Sequence, residues 1–301
     1  MHDVYAYGVI APSTLIEIRD TFPSEGGYAE VSAVHRSLGG EAAGGAYALA
    51  RLGVATKLDG AHIGTDEASH HAFETLTRAG VDCSALTLVD GPGPVTEFVI
   101  SGGSSRTILG TYGQLLADRA WNQPSKDDVA QSRIVCLDPF FGDESLQVAR
   151  WCMESGTPYV TIDAPPDAEI ARHADVLVIA GEYAARELDL GGPAGVVAAY
   201  TEHCAGSVIL TQGEGPLLSG RRGTSPREHQ PFEVDAHDTT GAGDSFRGGL
   251  IYGMLQGQDD EHMIRTASAV AAIVCEQAPS FVNSPTLAEL DRFLGTEPDA
   301  Q

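Results

Sequence analysis

The sequence predicts an α/β fold around a largely parallel sheet, and three observations carry that prediction. From about residue 134, short apolar runs at 134–137, 159–162, 176–179 and 208–210 alternate with helical stretches at 145–154, 168–174 and 195–204. That is the rhythm of βαβ units, whose parallel strands need crossover helices. Upstream, strand-like runs at 95–100 and 106–111 flank Ser101-Gly102-Gly103-Ser104-Ser105, a hairpin signal that sets a small antiparallel piece apart from the main sheet. Finally, 301 residues with 43% hydrophobic and 20% charged content are enough for one large α/β domain or two small ones with a sizeable core.

The elements follow in order. An apolar strand pattern opens the chain at 4–10 and is then interrupted by Pro12, Pro23 and Gly26-Gly27. Residues 28–35 alternate enough to form a strand. After Gly39-Gly40, the small-residue run 41–52 reads as a tightly packed helix with Gly53 where a C-terminal cap would fall. A second helix spans 65–80. In the last third, a glycine-rich turn at 238–244 leads into an apolar helix at 245–255, then a helix at 261–276 and a short closing helix at 287–294. No linker-like composition separates two units, so the expectation is a single domain over 1–295 with a small appended lid and a frayed polar tail at 296–301.

Composition removes several function classes. Eighteen basic against 42 acidic residues give a net charge of −24. Backbone binding to nucleic acid and adhesion to anionic membranes both need clustered Lys and Arg, so neither is expected as a partner. No run of 18 apolar residues predicts a membrane span, and the first residues read as the start of a strand, with no basic leader. Five cysteines, Cys83, Cys136, Cys152, Cys204 and Cys275, show no CxxC spacing. They read as reduced thiols of a cytoplasmic protein.

Chemistry concentrates in Asp238-Thr239-Thr240-Gly241-Ala242-Gly243-Asp244, followed by Ser245-Phe246-Arg247-Gly248-Gly249. Small residues let backbone N–H groups approach a ligand closely. A helix start adds unpaired N–H donors and the positive end of the dipole. Together they make an anion hole, and a carboxylate beside it can take the proton of an attacking hydroxyl. These are the two needs of phosphoryl transfer. The competing reading makes Asp244 a simple helix cap.

The whole segment closely resembles the signature of the PfkB/ribokinase family of carbohydrate kinases, Asp-Thr-x-Gly-Ala-Gly-Asp followed by a small-residue helix. The likeness continues in Gly39-Gly40 with the helix behind it, in Ile63-Gly64-Thr65-Asp66 with Ala79-Gly80-Val81-Asp82, in Arg106 on the second lid strand, in Val208 to Gly215 and in Pro285-Thr286. The resemblance implies a ribokinase-like fold, a parallel-rich central sheet flanked by helices with a small β lid made of strands at about 12–37 and 95–112. It implies an ATP-dependent kinase of a sugar-like hydroxyl, with Asp244 as base and Gly241, Ala242 and Gly243 as anion hole. Thr211, Gly213, Gly215 and Asp238 would then lie on the nucleotide side. Ser13, Gly39, Gly40, Gly44 and Arg106 would lie on the acceptor side. Mg²⁺ is implied with ATP, some relatives place a monovalent cation beside the signature loop, and a homodimer is implied.

Three departures alter these expectations. Where many relatives carry an acid that binds substrate hydroxyls, this chain has Ser13, a neutral and weaker partner. Where relatives carry an Asn that contacts the sugar, this chain has Gly44. Glu41, Glu97, Arg106 and Tyr112 are the candidates to supply the missing polarity, and the acceptor widens to polyols, inositol-like or inosose rings and nucleosides. The third departure is the family's Asn-x-x-Glu metal motif, reduced here to Gly181-Glu182-Tyr183-Ala184. Glu182 either serves Mg²⁺ or is a solvated acid in a first helical turn. Arg247 either reaches a phosphate or forms a surface ion pair. A non-catalytic small-molecule-binding protein on the same fold is the alternative to a kinase. A dinucleotide-dependent enzyme is disfavoured, because no GxGxxG follows the first strand.

Overall fold

The computed structural model describes residues 2–102 and 105–296. Its main sheet has eight strands in the order β12-β11-β10-β9-β8-β7-β1-β4. Six of them are mutually parallel: β1 (Val4–Gly8), β4 (Thr56–Gly60), β7 (Ile134–Leu137), β8 (Tyr159–Ile162), β9 (Val176–Ala180) and β10 (Ser207–Gln212). Antiparallel β11 (Gly215–Gly220) and β12 (Arg227–His229) extend one edge. The parallel strands are almost wholly buried, as expected of a sheet covered by helices on both faces. The helices are α1 (Glu41–Arg51), α2 (Glu67–Ala79), α3 (Tyr112–Asp118), α4 (Lys126–Gln131), α5 (Asp143–Ser155), α6 (Glu169–Arg172), α7 (Gly181–Glu187), α8 (Pro193–His203), α9 (Ala242–Leu255), α10 (Asp260–Cys275) and α11 (Leu287–Thr296).

A second, four-stranded sheet forms the lid, in the order β3-β2-β5-β6. It contains β2 (Ala11–Ile18), β3 (Val31–Gly39), β5 (Glu97–Gly102) and β6 (Ser105–Gly110). The strand expected at 28–35 is displaced. The ladder reaches Gly39 because Ser37 and Leu38 pair with Ser13 and Pro12, while Tyr28 is left 82% exposed outside it. The break expected at Pro12 is absent. Pairing of β2 with β5 begins only at Ser13, so the N–H that proline lacks is not needed there. The turn between β5 and β6, at 103–104, and the tail at 297–301 lie outside the described residues; within them, helix α11 runs on through Gly295 to Thr296.

Strand β1 pairs with β4 on one side and β7 on the other, which makes the β1/β7 boundary the point where strand order reverses. Ligands of open α/β sheets bind beyond the strand carboxyl ends at such a point. The sequence builds a crowded floor there. Helix α1 starts at Gly40, whose φ of 91° suits glycine and where a Cβ would lie 2.5 Å from Val9 O. The small-residue face of α1 lies against α9: a Cβ on Gly248 would come within 2.8 Å of the Ala48 Cβ. The two backbones therefore approach at near contact, which is why this helix pair is written in Gly and Ala.

Candidate active site

The signature turn is a helix start of the expected kind, with one correction. The N-cap of α9 is Gly241, in left-handed conformation at φ 74°, and no side chain caps the helix. Asp244 sits in the first turn, half-buried, and its carboxylate takes no hydrogen bond from the described residues. The simple-cap reading therefore fails. Two constraints hold Gly241: its φ, and Phe281, whose Cδ2 would lie 2.5 Å from a Cβ there. Gly243 opens onto free space. The Ala242 N–H folds back on Thr239 O at 3.3 Å, so the N–H groups of Gly243 and Asp244 are the donors remaining at this helix end.

Burial, with repulsion from Asp138 and Glu97, raises the Asp244 carboxyl to about 7; Arg247 and Arg106 act in the other direction. A base that titrates near neutrality suits proton transfer from an alcohol.

Asp238, expected on the nucleotide side, accepts hydrogen bonds that orient the signature turn. Its Oδ1 accepts from Thr240 N–H at 3.0 Å and Thr240 O–H at 2.7 Å, and its Oδ2 accepts from Ser280 N–H at 2.9 Å. At 3% exposure, both oxygens are occupied inside the protein. Asp238 is a clasp between the signature turn and the 279–284 loop. Ser280 O–H also donates to Thr240 O across the same gap.

Arg247 is the larger correction. It is not at the surface, and its Nε and Nη2 have no hydrogen-bond partner. It is fully buried, and its Nη1 donates to Asp138 Oδ1 at 2.7 Å. Asp138 Oδ2 accepts from Val9 N–H at 2.7 Å and Ala42 N–H at 3.0 Å. This pair sits at the switch point and ties β1, β7, α1 and α9 together. Asp138 was missed from sequence. Its signal was an acid directly after an apolar parallel strand, ahead of Pro139.

On the acceptor side, Ser13 is buried on β2 and its Oγ has no hydrogen-bond partner. Gly39 leaves room for Glu97, whose Oε1 would lie 2.4 Å from a Cβ there. Glu97 accepts from the Tyr112 hydroxyl. Gly44 is not a vacancy awaiting an amide. A Cβ there would stand 2.4 Å from the Asp244 Cβ and 2.8 Å from Phe281 Cε2, so Asp244 and an aromatic ring already fill that space. Arg106 reaches away from this side: it donates to Thr239 Oγ1 at 3.0 Å and stands 3.7 Å from Glu182, bridging lid and signature turn.

On the nucleotide side, Thr211 ends β10, Gly213 turns at φ 61° and Gly215 opens β11. Thr211 O lies 2.8 Å from where a Gly181 Cβ would be, so this turn abuts the start of α7, which carries Glu182. Among the described residues, no group of three His, Cys, Asp or Glu side chains could cage a metal. The acids near this edge are Glu182, largely exposed, and Asp163, whose carboxyl burial raises to about 6.

With this geometry in place, the pfkB family carbohydrate kinase signature matches residues 1–287. The chain belongs to that family. Its members are phosphotransferases acting on sugar hydroxyls, and this chain is a carbohydrate kinase of that kind. An ATP-dependent ribose-1-phosphate kinase from Halopiger xanaduensis is 27% identical over 84% of this chain and 86% of its own length. A nucleoside kinase from Methanothermobacter thermautotrophicus is 27% identical over 95% of this chain and 94% of its own. The solved ribokinase of Arabidopsis thaliana, complexed with ribose and ATP, superposes with a TM-score of 0.80 at 20% identity, covering 98% of this chain and 99% of that one. The ribokinase fold is shown, and no helix among the described residues is long and apolar enough to cross a membrane.

Proposed function

We propose that this pfkB family kinase transfers the γ-phosphoryl group of ATP to a hydroxyl of a sugar, polyol or nucleoside, with Asp244 as general base. The observation that carries this reading is an unpaired carboxylate in the first turn of α9, poised near neutrality, beside the free N–H groups of Gly243 and Asp244. The acceptor hydroxyl gives its proton to Asp244 as its oxygen attacks the γ-phosphorus, the bond from that phosphorus to the β,γ-bridging oxygen breaks and ADP leaves, and the N–H groups at the α9 start take up charge on the phosphoryl oxygens. Thr211, Gly213 and Gly215 border the nucleotide in this reading, and Arg106 draws the lid onto the signature turn.

Mg²⁺ fits as an ion carried by the ATP phosphates, with Glu182 and Asp163 as the acids that would hold its waters; when bound it would neutralise phosphate charge. The reading also includes one domain over 1–295, a cytoplasmic location, and a homodimer that covers the lid. Val34, Ile108 and Leu109 are about half exposed on edge strands of that sheet. Sedimentation giving only a 31.5 kDa species would remove the dimer. The central test is ADP release from ATP across pentoses, hexoses, ketoses, inositols, inososes and nucleosides. Turnover should require one acceptor class and vanish in Asp244→Asn; ADP release indifferent to acceptor would remove the kinase reading.

A further inference from the structure

We infer that Glu41 is the side chain that grips the acceptor, and that the acceptor it grips carries no phosphate group. The inference deepens the kinase reading above and rests on it for the identity of the site. The positions that hold sugar hydroxyls in many relatives are blunted here: Ser13 offers a neutral hydroxyl and Gly44 is filled by Asp244 and Phe281. Four buried polar atoms nevertheless lack partners in this region: Ser13 Oγ, Glu41 Oε2, and Nε and Nη2 of Arg247, the last two lying beside Gly45 beneath the floor. A buried acceptor or donor without a partner is costly, about 1–3 kcal/mol, and more for a charged group. Native proteins leave such atoms where a ligand or water completes them.

Glu41 is placed for that completion. It is the first residue of α1, directly after the Gly39-Gly40 approach to the lid. It lies within electrostatic reach of Asp244, Asp138 and Arg247 on the floor and of Tyr112, the hydroxyl partner of Glu97. Glu41 and Asp244 are thus electrostatic neighbours of Tyr112, whose hydroxyl donates to Glu97, the strand partner of Ser13 in the lid. Burial, then Asp138 and Asp244, hold the Glu41 carboxyl well above its ordinary range. A carboxyl in that condition can donate one hydrogen bond and accept another, which matches a hydroxyl-rich ligand.

The charge around this space decides the class of acceptor. Glu41, Glu97 and Asp244 are acids. Of the cations at hand, Arg247 is wholly buried, with Nη1 on Asp138 and its unpaired Nε and Nη2 beside Gly45 beneath the floor, and Arg106 is engaged with Thr239 and Glu182. The lysines are bound elsewhere, Lys57 to Asp128 and Lys126 to Glu154. A phosphate on the acceptor needs a free Arg, Lys or helix start. The start of α9 is the site for the transferring phosphoryl group, and a second phosphate would face the charge of Asp244 in its base form, which Glu97 already repels, in a poorly solvated space. A free sugar, polyol or nucleoside meets no such barrier.

The test uses the full chain and matched acceptor pairs: ribose with ribose 1-phosphate, fructose with fructose 1-phosphate, inosine with its 5′-monophosphate. Turnover is read by ADP release and binding by calorimetry in the presence of a non-hydrolysable ATP analogue. The expected result is that the phosphate-free member of the productive pair is preferred at least 100-fold in kcat/KM and in affinity. Glu41→Gln, close to isosteric, should weaken acceptor affinity by about 10- to 100-fold with ATP affinity unchanged, and Glu41→Lys should narrow the gap between free and phosphorylated acceptors. A phosphate ester bound as tightly as its free partner overturns the inference. So does Glu41→Gln with a shifted Tm and unaltered acceptor affinity, the outcome a purely structural role would give. If no acceptor supports ADP release, the kinase reading fails, and calorimetry still decides whether Glu41 selects a phosphate-free ligand.

Discussion

The two halves of this site have been treated differently by the same fold. The phosphoryl half keeps its parts: Gly241 in the left-handed conformation, free N–H groups at the start of α9, and Asp244 unpaired beside them. The acceptor half has lost an acid at Ser13 and an amide at Gly44, and its space has been retaken by Phe281 and by the base itself. Transfer of a phosphoryl group poses the same charge problem whatever the acceptor, so backbone geometry answers it once. Recognition of an acceptor depends on side chains, which can be exchanged while the strands and helices beneath them stay in place.

The largest way to sharpen that contrast is Asp244→Asn. We expect kcat to fall by about 10²- to 10⁴-fold, the range for a lost general base, with ATP affinity unchanged. Equal kcat in rapid-quench assays would show that the two halves do not divide at this residue. Arg247→Met should cost stability by about 3–5 kcal/mol in urea melts, because Asp138 is left buried without its cation. A loss near zero would mean that the switch-point floor does not depend on this pair.

Restoring the missing amide with Gly44→Asn should fail as a repair. With a Cβ 2.4 Å from that of Asp244, the helices must part, at a cost of about 1–3 kcal/mol and with reduced kcat. A gain of activity on ribose would show that the acceptor half is vacant after all. The smallest effect is in pH. The Asp244 carboxyl is raised from its ordinary 3.8 to about 7, so kcat/KM should decline as pH falls through about 7 and the base takes a proton. The folded state holds that proton more tightly than the unfolded chain, so this group lowers stability as pH rises from about 4 to about 7. In Asp244→Asn that part of the pH dependence of Tm should disappear.

The difference between the halves also governed what could be read from the sequence. Strands β7 to β10 and the long helices declare themselves by periodicity, and the glycine turn declares itself by composition, because local backbone needs select those residues. Strand β4 was missed because Lys57 and Asp59 break its apolar run; each is matched by a distant partner, Asp128 and Tyr5. Strand β2 was hidden by Pro12, and β11 by Gly215 and Pro216, residues tolerated through pairings that only the assembled sheets define. The Asp138–Arg247 pair joins residues 109 positions apart, so the acid after β7 stood as a lone signal and nothing local pointed to its partner. Phe281 fills the place of a side chain that Gly44 lacks, a substitution across two elements that no single stretch of sequence displays.

The Asp238 clasp has a consequence for how this site can change. Because Asp238 and Ser280 bind the signature turn to the loop that carries Phe281, the ring packed against Gly44 and Gly241 is fastened to that turn. Substitutions at Phe281 are therefore transmitted to Gly241, and under the proposed kinase reading their effects on specificity and rate will be epistatic, not independent. An adaptive path toward a bulkier acceptor must alter both sides of this clasp in concert, or move the change to the lid, where Ser13 and Glu97 can vary without disturbing the turn that performs the transfer.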